Sequence, residues 1–195
     1  MSIQIKSTKK FKYLPCAHAQ WFDENPDGSP GHCASVHGYD REVEITFAGN
    51  VDEYGWLVPF GQLKKVKEFL EYYFDHVTVL PANDPRIKSI PREMIEPGGI
   101  LGTLRVLPYG VSMEMSALFV WEYVNEFVFH TTGGRCYVEK VQMFEHDRNS
   151  GIVEVDEATA RKDARRKISS STGLLPKASA WIEEPPHDAL DRLDS

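Results

Sequence analysis

Cysteine and histidine side chains are concentrated in the decapeptide GHCASVHGYD, which spans residues 31–40. Cys33 precedes His37 by four positions, and His32 stands directly before the cysteine. A thiolate beside imidazoles can act as a base or a nucleophile, and the same groups bind metal ions. The alternative is structural, because free cysteine commonly packs as a small hydrophobe and a histidine in a turn often only forms hydrogen bonds. Cys33 and His37 by themselves leave both interpretations open.

A further histidine, His18, lies in CAHAQ at the end of the first predicted strand. His37 precedes the next predicted strand, so an antiparallel hairpin would bring the two imidazoles together. Paired imidazoles suit zinc. The sequence therefore offers His18 and His37 as candidate metal ligands.

Two pairs of charged positions could take part in proton transfer or substrate binding. Asp75 and His76 close a predicted helix, where the carboxylate and the helix C-terminus both favour the imidazolium, although the pair could equally cap the last carbonyls. Glu114 lies in the first turn of a helix and Glu145 ends a strand. Helix capping and simple solvation are the structural alternatives for these two glutamates.

Hydrophobic periodicity predicts the elements that position these groups. In chain order, they are strands at 3–20 and 41–48, helices at 59–74 and 113–127, and a strand at 135–146. Ser112 is a suitable N-cap for the second helix. Residues 77–107 are rich in proline and glycine, which predicts mostly loop with a short strand at TLRVL. The order predicts an α+β fold.

Composition limits the function classes. The formal net charge of −7 and the lack of a basic stripe argue against nucleic acid and anionic membranes as partners. There is no leader-like start and no run of eighteen apolar residues, so we expect a cytoplasmic protein. Three cysteines without a CxxC pair predict free thiols in a reducing compartment. Residues 153–195 are charged and serine-rich, which predicts a partly disordered tail with at most a helix at 156–168.

Taken in order over residues 10–152, these segments resemble the 6-pyruvoyl-tetrahydropterin synthase and 6-carboxytetrahydropterin synthase family. CAHA resembles the family's first zinc histidine, and CASVHGYD resembles its signature of Cys, three residues and His-Gly-His. GWLVPFGQLKK and FDHVTVLPANDP resemble the start of the first helix and the catalytic Asp-His segment. LPYGVSMEMSA and VQMFEHDRNSGI are similar to the start of the second helix and to the last strand with its substrate-binding glutamate.

The resemblance implies a tunnelling (T-) fold for residues 1–152, with a loop-rich insertion at about 77–107. In this fold, an antiparallel sheet carries two helices on one face, and copies assemble into a β-barrel oligomer. The family also implies a homohexamer with active sites at subunit boundaries, a small pterin as substrate, and Zn2+ as cofactor.

Carried over to matching positions, the resemblance implies zinc on His18 and His37, with Cys33 as the general base. Asp75 and His76 would assist proton transfer. The remaining implied residues bind the pterin: Glu145 anchors its ring and Glu114 lines its pocket.

Two positions depart from the family pattern. Tyr39 replaces the third zinc histidine, so either its phenol or His32 would have to complete the site, or the metal is lost. The alternation of the strand places Tyr39 on the side of His37, which makes it a candidate metal ligand. Pro59 replaces an aspartate, which removes a carboxylate near the site.

Three functions follow from the resemblance. The first is a 6-carboxytetrahydropterin synthase that converts dihydroneopterin triphosphate in the synthesis of 7-deazaguanine (queuosine-type) precursors. The closely spaced GHCASVHG is more similar to that branch of the family. The second is a lyase that forms a 6-pyruvoyl pterin, and the third is a non-catalytic pterin-binding relative.

Overall fold

The structure is a computed structural model that describes residues 4–169. Its strands and helices, in chain order, are β1 (Ile5–His18), β2 (His37–Gly49), α1 (Lys64–Phe74), β3 (Val77–Pro81), α2 (Arg92–Ile95), β4 (Thr103–Leu107), α3 (Met113–Thr131), β5 (Cys136–Phe144), β6 (Ser150–Glu154) and α4 (Glu157–Ser169). Short 3-10 turns occupy His32–Ala34, Phe60–Leu63 and Ile87–Ser89.

The six strands form one sheet in the order β4-β3-β1-β2-β5-β6. β1 and β2 pair as an antiparallel hairpin, and β5 and β6 continue the antiparallel pairing on one side. On the other side, β3 is parallel to β1 and β4 is parallel to β3. The expectation of an antiparallel sheet is therefore wrong for this half, and the sheet is mixed. Parallel neighbours need crossover connections, which α1 and the segment between β3 and β4 provide.

The predicted loop at 77–107 contains a strand that periodicity did not reveal. All five residues of β3 are buried, so its sequence VTVLP has no polar alternation that would separate it from a loop or a buried helix turn. The strand predicted at TLRVL is confirmed as β4.

Two helices, α1 and α3, cover one face of the sheet, as expected. Phe69 of α1 stacks on Tyr123 of α3 with ring centroids 3.7 Å apart, and it also contacts Phe119. Side chains of this size stabilise the fold by about 2 kcal/mol each when fully buried. The predicted N-cap is also confirmed, since the Ser112 hydroxyl accepts the Met115 N–H at 3.3 Å. This cap fixes where α3 begins.

The helix predicted at 156–168 is present as α4. It packs on α3, where Asn125 Nδ2 donates to the Ala160 carbonyl at 2.8 Å, and both Ala160 and Ala164 are fully buried. Residues 170–195 lie outside the described residues, so the tail beginning at 153 and its disorder stay predictions. Among the described helices, none combines the length and hydrophobicity that crossing a bilayer requires.

Candidate metal and substrate site

The hairpin brings His18 and His37 together. They are cross-strand partners in the β1–β2 register, and their ring centroids are 4.3 Å apart. Partners in an antiparallel pair present their side chains on the same face. The hairpin prediction is thus confirmed, although β2 begins at His37 itself, so residues 37–40 belong to the strand and not to the preceding loop.

His18 is buried and neutral. Its side chain is 1% exposed, and burial lowers its pKa to about 3, with smaller contributions from the charges of Arg41 and His37. Nδ1 of His18 has no hydrogen-bond partner among the described residues. A buried polar atom left without a partner is costly, and a bound ligand would remove that cost.

His37 is oriented by a hydrogen bond to the backbone. Its Nδ1 lies 2.8 Å from the carbonyl oxygen of Ser35. Because a carbonyl only accepts, Nδ1 donates this bond, and Nε2 is the ring nitrogen left to face a metal. His18 and His37 therefore lie side by side as candidate metal ligands.

Tyr39 is the third side chain at this position. Its ring centroid is 6.1 Å from His18 and 5.9 Å from His37. His32, by contrast, is exposed and makes no ring contact with either histidine within the described part of the chain. Within residues 4–169, no three His, Cys, Asp or Glu side chains are grouped to hold a metal ion. If a metal is held here, Tyr39 is the nearest candidate for the third ligand.

A buried arginine underlies the site, and the sequence analysis did not single it out. Arg41 is fully buried, with Nη1 3.2 Å from the Ser116 hydroxyl and Nη2 3.4 Å from the Val111 carbonyl. Its Nε has no partner and its guanidinium forms no ion pair among the described residues. Burial lowers the pKa of Arg41, and the charges of Cys16 and Glu145 oppose that shift. Strand alternation could have predicted its burial, because Arg41 lies two residues before the buried Val43 and therefore on the same face of β2.

Cys33 lies in the loop that connects β1 to β2, within the 3-10 turn His32–Ala34. Its N–H donates to Oδ2 of Asp23 at 2.8 Å, and its carbonyl accepts the Gln20 N–H at 2.7 Å. Gln20 is only two residues beyond His18, so this bond holds the backbone of Cys33 close to the end of β1, where His18 lies. The side chain of Cys33 is partly exposed, as a reactive thiol must be.

Asp75 and His76 form the expected pair but lie apart from the histidines. His76 Nδ1 is 2.5 Å from Oδ1 of Asp75, and the His76 side chain is 83% exposed. His76 adopts a positive φ of 54° while its N–H donates to the Pro15 carbonyl. Within one described chain, this pair makes no contact with His18 or His37.

Glu145 lines a cavity of about 600 Å³ that reaches Tyr39. Lys10, Lys12 and His146 also line it, and the His146 ring lies 5.9 Å from that of Tyr39. Asn149 Nδ2 donates to Oε2 of Glu145 at 3.2 Å, which leaves the other carboxylate oxygen for a ligand.

The remaining predicted positions lie elsewhere. Glu114 is exposed in the first turn of α3 and does not line this cavity. Pro59 lines a separate apolar cavity of about 690 Å³ together with Ile5, Trp56 and Phe60. Sequence reasoning missed His146, although it directly follows Glu145.

Comparisons with known proteins agree with this geometry. The model of the 6-pyruvoyl tetrahydropterin synthase family matches residues 6–156. A protein of Archaeoglobus fulgidus, named provisionally as a 6-carboxy-5,6,7,8-tetrahydropterin synthase, is 31% identical over 84 residues, covering 40% of this chain and 73% of that protein.

Solved structures share the fold. An uncharacterized protein from Wolinella succinogenes aligns with a TM-score of 0.65 at 19% identity, over 80% of this chain and 100% of that one. A mutant of the Plasmodium vivax 6-pyruvoyltetrahydropterin synthase aligns with a TM-score of 0.57 at 18% identity, over 80% and 99% of the two chains.

Proposed function

Since the chain belongs to the 6-pyruvoyl tetrahydropterin synthase family, we propose that it is a zinc-dependent lyase that converts dihydroneopterin triphosphate to 6-carboxytetrahydropterin. The carrying observation is the His18–His37 pair with an unpartnered buried nitrogen on His18, next to Tyr39, which lines a cavity together with Glu145. The partial similarity to the Archaeoglobus fulgidus protein supports the 6-carboxy product. A role in 7-deazaguanine (queuosine-type) synthesis is the part of the proposal that follows from this product.

His18, His37 and Tyr39 are the residues that would hold the metal. When bound, a zinc ion would act as a Lewis acid on the hydroxyl groups of the pterin side chain. The charge of Arg41 favours an anionic third ligand here, because a dication and a guanidinium repel each other. Bound to the metal as a phenolate, Tyr39 would supply the negative charge that a third neutral imidazole would not.

Cys33 is the proposed base that takes a proton from the side chain of the substrate. A thiolate near a cationic centre is favoured over the thiol, and its turn is anchored close to His18 by the bond to Gln20. Asp75 and His76 would relay protons. Because this pair is exposed and apart from the histidines of its own chain, we assign it to the site of a neighbouring subunit in a homohexamer.

Glu145 would orient the pterin ring. Its carboxylate can accept N–H bonds from the amino group and the ring N–H, and the bond from Asn149 to Oε2 orients the carboxylate. Glu114 does not line the cavity of its own chain, so a part in binding the pterin would require the site of a neighbouring subunit.

Incubation of zinc-supplemented protein with dihydroneopterin triphosphate tests the proposal, with products identified by mass spectrometry. We expect 6-carboxytetrahydropterin from the wild type and none from Cys33→Ala, with the oligomer intact in both. Bound zinc, measured by elemental analysis after dialysis, should fall in Tyr39→Phe and stay unchanged in the control Tyr13→Phe, which removes a hydroxyl from an exposed tyrosine. A 6-pyruvoyl product, or no consumption by folded, zinc-loaded protein, would overturn the assignment.

A further inference from the structure

The connection between β3 and β4 contacts the turn that carries Cys33. Arg86 Nη1 donates to the carbonyl oxygen of Ala34 at 2.6 Å. This carbonyl belongs to the 3-10 turn His32–Ala34, directly after the cysteine. The two segments are far apart in the sequence, so the contact joins the insertion to the site.

Arg86 is itself held in place by a buried carboxylate. Oδ2 of Asp84 lies 2.7 Å from Arg86 Nη2, and Oδ1 lies 3.0 Å from Nε. The Asp84 side chain is fully buried, whereas that of Arg86 is 45% exposed. Two parallel bonds fix the plane of a guanidinium, so the third donor points at Ala34 with little rotational freedom.

The opposite side of the turn is held by Asp23. Its Oδ2 accepts the Cys33 N–H at 2.8 Å, and its backbone carbonyl accepts the Gly31 N–H at 2.9 Å. A Cβ on Gly31 would lie 2.1 Å from the Asp23 carboxylate, so the close approach requires glycine. The backbone of Cys33 is thus fixed between an aspartate on one side and an arginine on the other.

A small second core supports the same arrangement. Ala19, which follows His18 directly, is buried at the start of the loop. It clusters with residues of β3, β4 and the connection between them: Leu80, Ile87, Ile95 and Leu104. The insertion therefore fixes both the beginning of the loop and the turn where the cysteine lies.

We propose that Arg86, held by Asp84, is a positioning residue for Cys33. It keeps the thiol at a fixed place relative to His18 and His37 by bonding the backbone beside it. The inference rests on the proposed function for the role of Cys33 as base, and it assigns a task to the segment that the family pattern leaves out.

The test compares Arg86→Gln with Lys88→Gln, which removes an exposed charge from the same 3-10 turn. The first readout is the rate at which iodoacetamide alkylates Cys33, followed by peptide mass spectrometry from pH 6 to 9. We expect Arg86→Gln to change this rate and its pH profile severalfold, and Lys88→Gln to leave both as in the wild type. Arg86→Lys should restore part of the wild-type behaviour, because its ammonium can still reach a carbonyl.

The second readout is steady-state turnover of dihydroneopterin triphosphate. Misplacement of a catalytic group by about 1 Å costs on the order of 100-fold, so kcat of Arg86→Gln should fall at least about tenfold while KM and bound zinc stay within a factor of two. Thermal unfolding shows whether the variant is folded, and Asp84→Asn provides a second route to the same loss.

The outcomes separate the two proposals. If the wild type does not turn over this substrate, the proposed function fails, but the alkylation profile still reports on positioning. Identical alkylation profiles in the wild type and in Arg86→Gln would overturn the inference. A changed profile with unchanged kcat would also overturn it, because the bond would then not serve catalysis.

Discussion

The buried state of His18 predicts how stability depends on pH in the metal-free protein. Its pKa is lowered to about 3 in the folded chain, chiefly by burial, whereas an unfolded chain has a histidine pKa of about 6.5. Below pH about 6.5 the unfolded state takes up a proton that the folded state refuses. Stability is therefore present above this pH and is lost as the pH falls towards 3.

The magnitude follows from the same two values. Each pH unit in which only the unfolded state is protonated is worth about 1.4 kcal/mol. Between pH 7.5 and 5 the His18 contribution to the free energy of unfolding should fall by about 2 kcal/mol. Below pH 5 the carboxylates begin to titrate as well, so the upper window leaves them out of the comparison.

Urea unfolding at fixed protein concentration in EDTA measures this contribution. The wild type is compared with His18→Phe, so that the titration of all other groups cancels in the difference between the two curves. The matched control is His76→Gln, which replaces an exposed histidine. The free energy of unfolding of this variant should depend on pH as that of the wild type does. Curves for the wild type and His18→Phe that stay parallel from pH 7.5 to 5 would refute the reasoning, as would an NMR titration of the His18 Cε1–H within that range.

Three further changes test the positions around the site. Gly151→Ala should destabilise the protein by about 1–3 kcal/mol in urea unfolding, because a Cβ there would lie 2.3 Å from the Glu114 amide; Gly61→Ala, with no described atom within 4 Å of the new Cβ, is the control expected to be neutral. Asn125→Ala should cost about 1–3 kcal/mol, since it leaves the Val138 amide of β5 without a partner and removes a bond to α4, and a loss near zero would contradict this. Arg41→Met should raise the pKa of His18 in an NMR titration, and an unchanged value would show that burial alone sets it.

Periodicity predicted most of the fold because most elements have one wet face. The strands of the hairpin and the helices α1 and α3 follow from alternation and from three-four spacing. β3 was missed because both its faces are covered. The strand expected at 135–146 does not alternate throughout, because a bulge in β5 lies opposite Thr46 and Phe47; Tyr137 and Glu139, on either side of Val138, contact Gln4 and Lys6 near the start of the chain.

The candidate site was predictable in part. The meeting of His18 and His37 follows from a hairpin, which a sequence can predict. The contact between Arg86 and Ala34 does not, because it joins a proline-rich segment to a loop, and neither has a periodic pattern that fixes its position. Likewise, the proximity of His146 to Tyr39 depends on the turn between β5 and β6.

Tyr39 and Arg41 are best understood together. Residues 37, 39 and 41 alternate along β2, and their partners on β1 are His18, Cys16 and Leu14, so imidazole, phenol and guanidinium lie on one face of the sheet. Arg41 is fully buried on this face, whereas Tyr39 is 36% exposed. A site of three neutral histidines would add a dication near the charge of Arg41 without a negative ligand, and a metal-bound phenolate would lower that repulsion. The tyrosine that departs from the family signature is thus the ligand type that a buried arginine on the same strand face favours.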